Sequence, residues 1–202
     1  MPMTQEQAST RPTPTLIKWA GVCAAVISLS TGCGGGSPLG NPPNVNNEEA
    51  RGGQNLSFAY FQRCINPIFI AQLPIPGTAT TNTCAGSGCH DNAAGTGGAF
   101  RIIPSAAVVD LANPANTADV IRNTDMYKNF YSAQGEVVFT AISQSRLITK
   151  PLVRNVLHGG GLIFETDLDN NVRLLQYWMT HPAPAGQSEF SYDPAPGACP
   201  TQ

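Results

Sequence analysis

The chain has 202 residues, with 11 Lys and Arg against 13 Asp and Glu and a formal net charge of -2. Nucleic-acid binding would need clustered basic residues, which this near-neutral chain lacks. It also shows no charge run, repeat period or heptad, which excludes repeat arrays and coiled coils. The N-terminus is polar and carries Arg11 and Lys18, then turns apolar over residues 19–29 and small at Ser30, Thr31 and Gly32. A basic start, a short apolar run and small residues describe an export signal, and the run is too short to cross a bilayer as a helix.

Cys33 follows Gly32 directly. The stretch resembles a bacterial lipobox, although Ser30 stands where that motif prefers Leu. The resemblance implies that Cys33 is lipidated and becomes the mature N-terminus. The protein would then be exported and lipid-anchored to a bacterial membrane, facing the periplasm or cell surface. Residues 1–32 read as the signal. Residues 33–53, rich in Gly, Pro and Asn, read as a flexible linker. Residues 54–202 have the size of one domain.

Within that domain, residues 56–65 place Phe58, Phe61 and Ile65 at helical spacing. Pro67 should end or kink this helix, and residues 68–70 should enter a loop broken by Pro74, Pro76 and Gly77. Residues 84–90 follow, then a Gly-rich loop over 91–98. Residues 105–111 are apolar enough for a short strand or helix. Asn116 or Thr117 should cap a helix beginning near Ala118. Residues 123–129, NTDMYKN, form a polar stretch. Residues 134–149 are ambiguous: Val137, Val138 and Phe139 favour strand, while 141–148 could be helical. His158 precedes three glycines. A last helix, capped by Thr166 or Asp167, should bury Val172, Leu174, Leu175, Trp178 and Met179 before Pro182. The sum is a mostly helical domain with long Gly/Pro-rich loops and little intrinsic core.

Of the six cysteines, Cys23 leaves with the signal and Cys33 belongs to the lipobox. Free thiols seldom persist in an oxidising compartment, so Cys64, Cys84, Cys89 and Cys199 should all be used. Three schemes are open. The first has two disulfides. The second has thioethers from Cys84 and Cys89 to a haem, plus a Cys64–Cys199 disulfide. The third is a zinc site, which is weak because structural zinc takes spaced pairs of ligands and no second pair is present. The sequence CAGSGCH is a widened form of the C-x-x-C-H haem-attachment signature, with four residues between the cysteines. Its glycines, Gly86 and Gly88, permit the bulge that the wider gap needs. The competing reading is a small Cys84–Cys89 disulfide loop beside a solvated His90.

The order of parts resembles the c-type cytochromes of class I found on extracytoplasmic bacterial lipoproteins. The likeness spans residues 56–182. An amphipathic helix ending in CINPIF precedes the Cys89-His90 dipeptide. SRLITKPL (145–152) and a His-Gly-rich turn come later, and a helix containing LLQYWM (174–179) closes the domain. The resemblance implies a cytochrome c-like helical fold around one covalent haem c, with thioethers at Cys84 and Cys89 and His90 as the proximal iron ligand. His158 is the implied distal ligand, with Met126, Met179, His181 or an open site as alternatives. It makes a Cys64–Cys199 disulfide a plausible staple for the C-terminal tail. The implied activity is one-electron transfer between redox protein partners, with membrane contact through the lipid.

No catalytic residues are identified: no Ser-His-Asp order, phosphate loop or carboxylate pair stands out. Asp167 and Asp169 lack EF-hand spacing and read as helix-start acids. Two other classes stay open. One is a cofactor-free, disulfide-bonded surface lipoprotein. The other is a haem enzyme subunit with an open sixth position.

Overall fold

The computed structural model describes residues 55–200. The signal (1–32), the lipobox Cys33 and the linker (33–53) lie outside the described residues. What is described is helix-rich with little strand, and none of its helices is long and apolar enough to cross a membrane.

The first helical run does not stop at Pro67. It comprises α1 (Phe58–Tyr60), a π-helical turn (Phe61–Ile65) and α2 (Asn66–Ile70). The wide turn explains why proline is accepted. A proline inside an α-helix clashes with the carbonyl four residues back and lacks a donor. Here the Asn66 amide reaches back to the Phe61 carbonyl, so Pro67 follows a widened turn and sits in the first turn of α2. Ile68 and Phe69, expected in a loop, are therefore helical and buried. Ser57 caps α1, its Oγ accepting from the Tyr60 amide at 3.1 Å.

A two-residue hairpin follows. In it β1 (Leu73–Pro74) pairs antiparallel with β2 (Thr81–Asn82), Leu73 opposite Asn82. Residues 105–111 form neither strand nor helix. The Gln62 side chain takes their place as partner: the Val109 amide donates to Gln62 Oε1 at 3.0 Å, and Gln62 Nε2 donates to the Val109 carbonyl at 3.1 Å. Then α3 (Ala118–Arg122) begins at the Thr117 cap.

Next comes α4 (Asp125–Gln134), capped by Thr124, where the sequence reading saw only a polar stretch. Met126, Tyr127, Phe130 and Ala133 are its buried face. Val137, Val138 and Phe139 find no strand partner. The Val138 amide instead donates to Ser145 Oγ at 2.9 Å and the Arg146 amide to the Glu136 carbonyl at 3.0 Å. A 3-10 turn (Ile142–Gln144) leads into α5 (Arg146–Thr149).

The last helix, α6 (Asn170–Thr180), is capped by Asp169 rather than by Thr166 or Asp167. Thr166 Oγ1 accepts from the Leu168 amide, and Asp167 pairs with Arg154. Val172, Leu175, Trp178 and Met179 are buried. Trp178 packs on Phe61 with ring centres 5.4 Å apart, and its Nε1 donates to the Ser57 carbonyl at 3.0 Å. The first and last helical elements thus form the core, with Phe130 of α4 wedged edge-on against Phe58 and Phe61. The tail returns along α1. Cys64 and Cys199 are joined by a disulfide.

A candidate haem-type site between two histidine loops

The CAGSGCH stretch hangs from the end of α2. The Ala85 amide and Thr83 Oγ1 both donate to the Phe69 carbonyl, at 3.0 and 3.1 Å. The four residues between the cysteines fold into a tight turn: the Cys89 amide donates to the Gly86 carbonyl at 2.8 Å. The turn is closed by the His90 amide on the Cys84 carbonyl at 2.9 Å. Cys84 and Cys89 remain free thiols on this turn. Burial first, and Cys89 second, push the Cys84 thiol up to about 11, so it stays protonated at neutral pH.

His90 is clamped on several sides. Its Nδ1 donates to the Phe100 carbonyl at 3.0 Å, and its ring centre is 4.8 Å from that of Phe100. A carbonyl only accepts, so the proton is on Nδ1 and the Nε2 lone pair is free. Burial holds the ring below the ordinary histidine value. His158, Arg101 and Lys150 push the same way, against the Phe100 hydrogen bond. A neutral imidazole is the form that ligates metals. Gly97 is required at this point: a Cβ there would lie 2.6 Å from both His90 Cε1 and Nδ1.

His158 enters from the other side on the loop after α5. Its Nδ1 donates to the Gly161 carbonyl at 2.7 Å, where Gly161 takes a φ of 72°. The loop is held by Lys150 Nζ on the Leu157 carbonyl at 2.9 Å, and by the Ile163 amide on the Pro151 carbonyl at 2.8 Å. The His90 and His158 ring planes lie within 15° of parallel, their centres 6.4 Å apart.

Between these loops lies a cavity of about 390 Å³, within the usual range for ligand sites. Ile68, Phe69, Leu147, Ile163, Phe164 and Leu175 supply apolar wall. Cys84, Cys89, His90 and His158 supply the reactive groups, and Arg146 and Lys150 the positive charge. The other iron-ligand candidates are elsewhere. Met126 and Met179 are each 1% exposed in the helical core and do not line the cavity. Met126 lies on the buried face of α4 and not on a loop beside the cavity. His181 binds the Tyr177 carbonyl at 2.8 Å and stacks on that ring.

Among the described residues no three His, Cys, Asp or Glu side chains converge closely enough to hold a metal ion by themselves. Sequence reasoning singled out Cys84, Cys89, His90 and His158, which line one cavity. It missed Gly97, Phe100, Arg146 and Lys150. The Gly97-Gly98 pair beside an aromatic residue was the available signal for the first two. No known protein family, curated protein or solved structure matches the chain.

Proposed function

We propose that this protein is a mono-haem c-type cytochrome, an electron carrier outside the cytoplasm. Its helical domain would be of the class I-like cytochrome c kind, tethered through lipid on Cys33. The observation that carries this reading is the pair of near-parallel imidazoles 6.4 Å apart across a cavity walled by two free cysteines. A metal–imidazole bond is about 2 Å, so two imidazoles on opposite sides of one metal would hold their ring centres about 6 Å apart. Each ring spends its Nδ1 on a backbone carbonyl, the outer contact that fixes the orientation and tautomer of a ligating histidine. Among the described residues no third protein donor joins the two imidazoles, so a metal held between them would need further donors, which a macrocycle would supply. The apolar wall suits its faces, while Arg146 and Lys150 suit its acidic edge.

Cys84 and Cys89 would hold the group covalently. Each thiol adds across a vinyl double bond, sulfur to one carbon and hydrogen to the other, so no oxidant is needed. A haem bound there supplies a one-electron couple between a reduced and an oxidised protein partner. The chain's own share is to keep His90 neutral by burial and to fix the planes of both rings through their Nδ1 hydrogen bonds. The packing of α6 on the first helical run also agrees with a cytochrome c-like arrangement.

The test is a haem stain of a denaturing gel with a pyridine haemochrome spectrum, on protein matured in its native host. Haem should stay with the denatured chain, and Cys84→Ala should leave a single thioether with a shifted haemochrome band. His158→Ala should let carbon monoxide bind where the parent resists it. A correctly exported but colourless protein would sink the reading.

A further inference from the structure

Arg101 is 1% exposed. Its Nη1 donates to the Asp91 carbonyl at 3.4 Å, while its Nε and Nη2 are buried without a hydrogen-bond partner. Asp91, whose carbonyl takes that bond, turns its side-chain Oδ1 to the Ala93 and Ala94 amides instead. Arginine keeps its charge in proteins, and a buried charge without a counter-ion costs stability. The fold nevertheless holds it in one particular place. The residue before it supplies the carbonyl that binds His90 Nδ1. The residue after it donates its amide to the His90 carbonyl at 2.7 Å. The guanidinium lies against the loop that follows His90: a Cβ on Gly95 would be 2.7 Å from Arg101 Nη1 and 2.6 Å from the Cys89 carbonyl.

We propose that Arg101 sets the reduction potential of the haem by holding an uncompensated, water-shielded positive charge behind His90, which favours the reduced state over the oxidised one. The proposal rests on the haem reading above. An oxidised haem iron carries one more positive charge than a reduced one, so a fixed cation nearby penalises oxidation. In the protein interior that penalty is larger than in water, and salt screens it much less. Two imidazole ligands give a lower potential than imidazole with thioether, and Arg101 offsets part of that difference. One electron enters from a reduced partner and leaves to an oxidised one. Arg101 neither gains nor loses a proton.

The experiment is a potentiometric titration of the full-length, haem-loaded protein beside Arg101→Gln, Arg101→Met and Arg101→Lys. Both neutral variants should show a lower midpoint potential, with about tenfold less reduced protein at a fixed solution potential. The lysine variant should stay near the parent, all four should give the same haemochrome spectrum, and the differences should persist at high salt. A parent-like potential in a haem-loaded neutral variant overturns the proposal. So does failure of both neutral variants to load haem while the lysine variant loads it, because that assigns the charge to folding. A parent chain without covalent haem is a separate outcome that removes the haem reading, and this proposal with it.

Discussion

Gly97 has no room for a side chain. A Cβ there would press on two atoms of the His90 ring and lie 2.8 Å from the Cys89 carbonyl. The ring cannot retreat without losing the Phe100 carbonyl or its face contact with Phe100. Gly97→Ala should therefore cost about 1–3 kcal/mol, as overpacking does, and should lower the fraction of chain carrying haem. Thermal unfolding and the ratio of haem stain to protein stain would measure both. An alanine variant with parent stability and parent haem content would show that the ring has slack. At this scale the sequence was informative where the chemistry is local. Cys84, Cys89 and His90 are contiguous, and His158 is marked by the glycines after it. Gly97 and Phe100 left only a glycine pair close to an aromatic residue as a signal, because their importance comes from a loop folding back onto His90.

At the scale of elements, α4 organises the site from behind. Its Asn129 is fully buried, and one side chain joins three segments. Asn129 Oδ1 accepts from the Ile103 amide at 2.7 Å, and its Nδ2 donates to the Ile103 carbonyl at 3.1 Å and to Asn66 Oδ1 at 2.9 Å. Ser132, one turn further on, accepts from the Arg101 amide at 2.7 Å. The segment that presents the Phe100 carbonyl to His90 is thereby hung on α4 and α2. Asn129→Ala would leave the Ile103 amide and the buried Asn66 Oδ1 short of partners, while the Ile103 carbonyl keeps the Ala106 amide, at about 2–4 kcal/mol in total. The expected result is a large fall in melting temperature together with weaker haem loading. Loss of stability with unchanged loading would show that the His90 loop holds itself. This helix was readable in principle: Met126, Phe130 and Ala133 fall at helical spacing after a Thr124 cap. Local polarity hid it, because Asn123, Asp125, Lys128 and Asn129 dominate a short window. Pro67 misled in the opposite direction, since the neighbouring π turn that accommodates it has no signature in a single sequence.

Over the whole molecule, the C-terminal tail is a strap across the first helical run, tied by two kinds of bond. The Cys64–Cys199 disulfide closes a loop of 135 residues, and a bridge over a loop of that length stabilises by about 2–5 kcal/mol. Beside it, Arg63 Nη1 and Nη2 donate to both Asp193 carboxylate oxygens, at 2.7 and 3.1 Å, and Tyr60 OH donates to the Pro200 carbonyl at 3.0 Å. Burial alone would raise the Asp193 carboxyl. The Arg63 guanidinium and the Ala195 amide outweigh it and hold the carboxyl below its ordinary range. A lowered carboxyl contributes stability that is complete above its unfolded value and is lost as pH falls through its folded value. The two ties should therefore fail under different conditions. In the double variant Cys64→Ser with Cys199→Ser, the tail should remain docked at neutral pH through Arg63, with a lower melting temperature. It should loosen further below about pH 4, as Asp193 takes up its proton, with the Arg63 bonds to the Ala195 and Ala198 carbonyls left as its remaining ties to that side chain. In the disulfide-bonded parent, the same acid step should leave the tail attached. Hydrogen exchange at residues 183–200 across a pH series distinguishes the two. The haem stain should be the same in both, because the strap lies on the first helical run and none of its residues lines the cavity. A double variant whose tail is already free at neutral pH would mean that the disulfide alone holds the strap and that the Arg63–Asp193 pair adds nothing measurable, as is usual for partly exposed ion pairs.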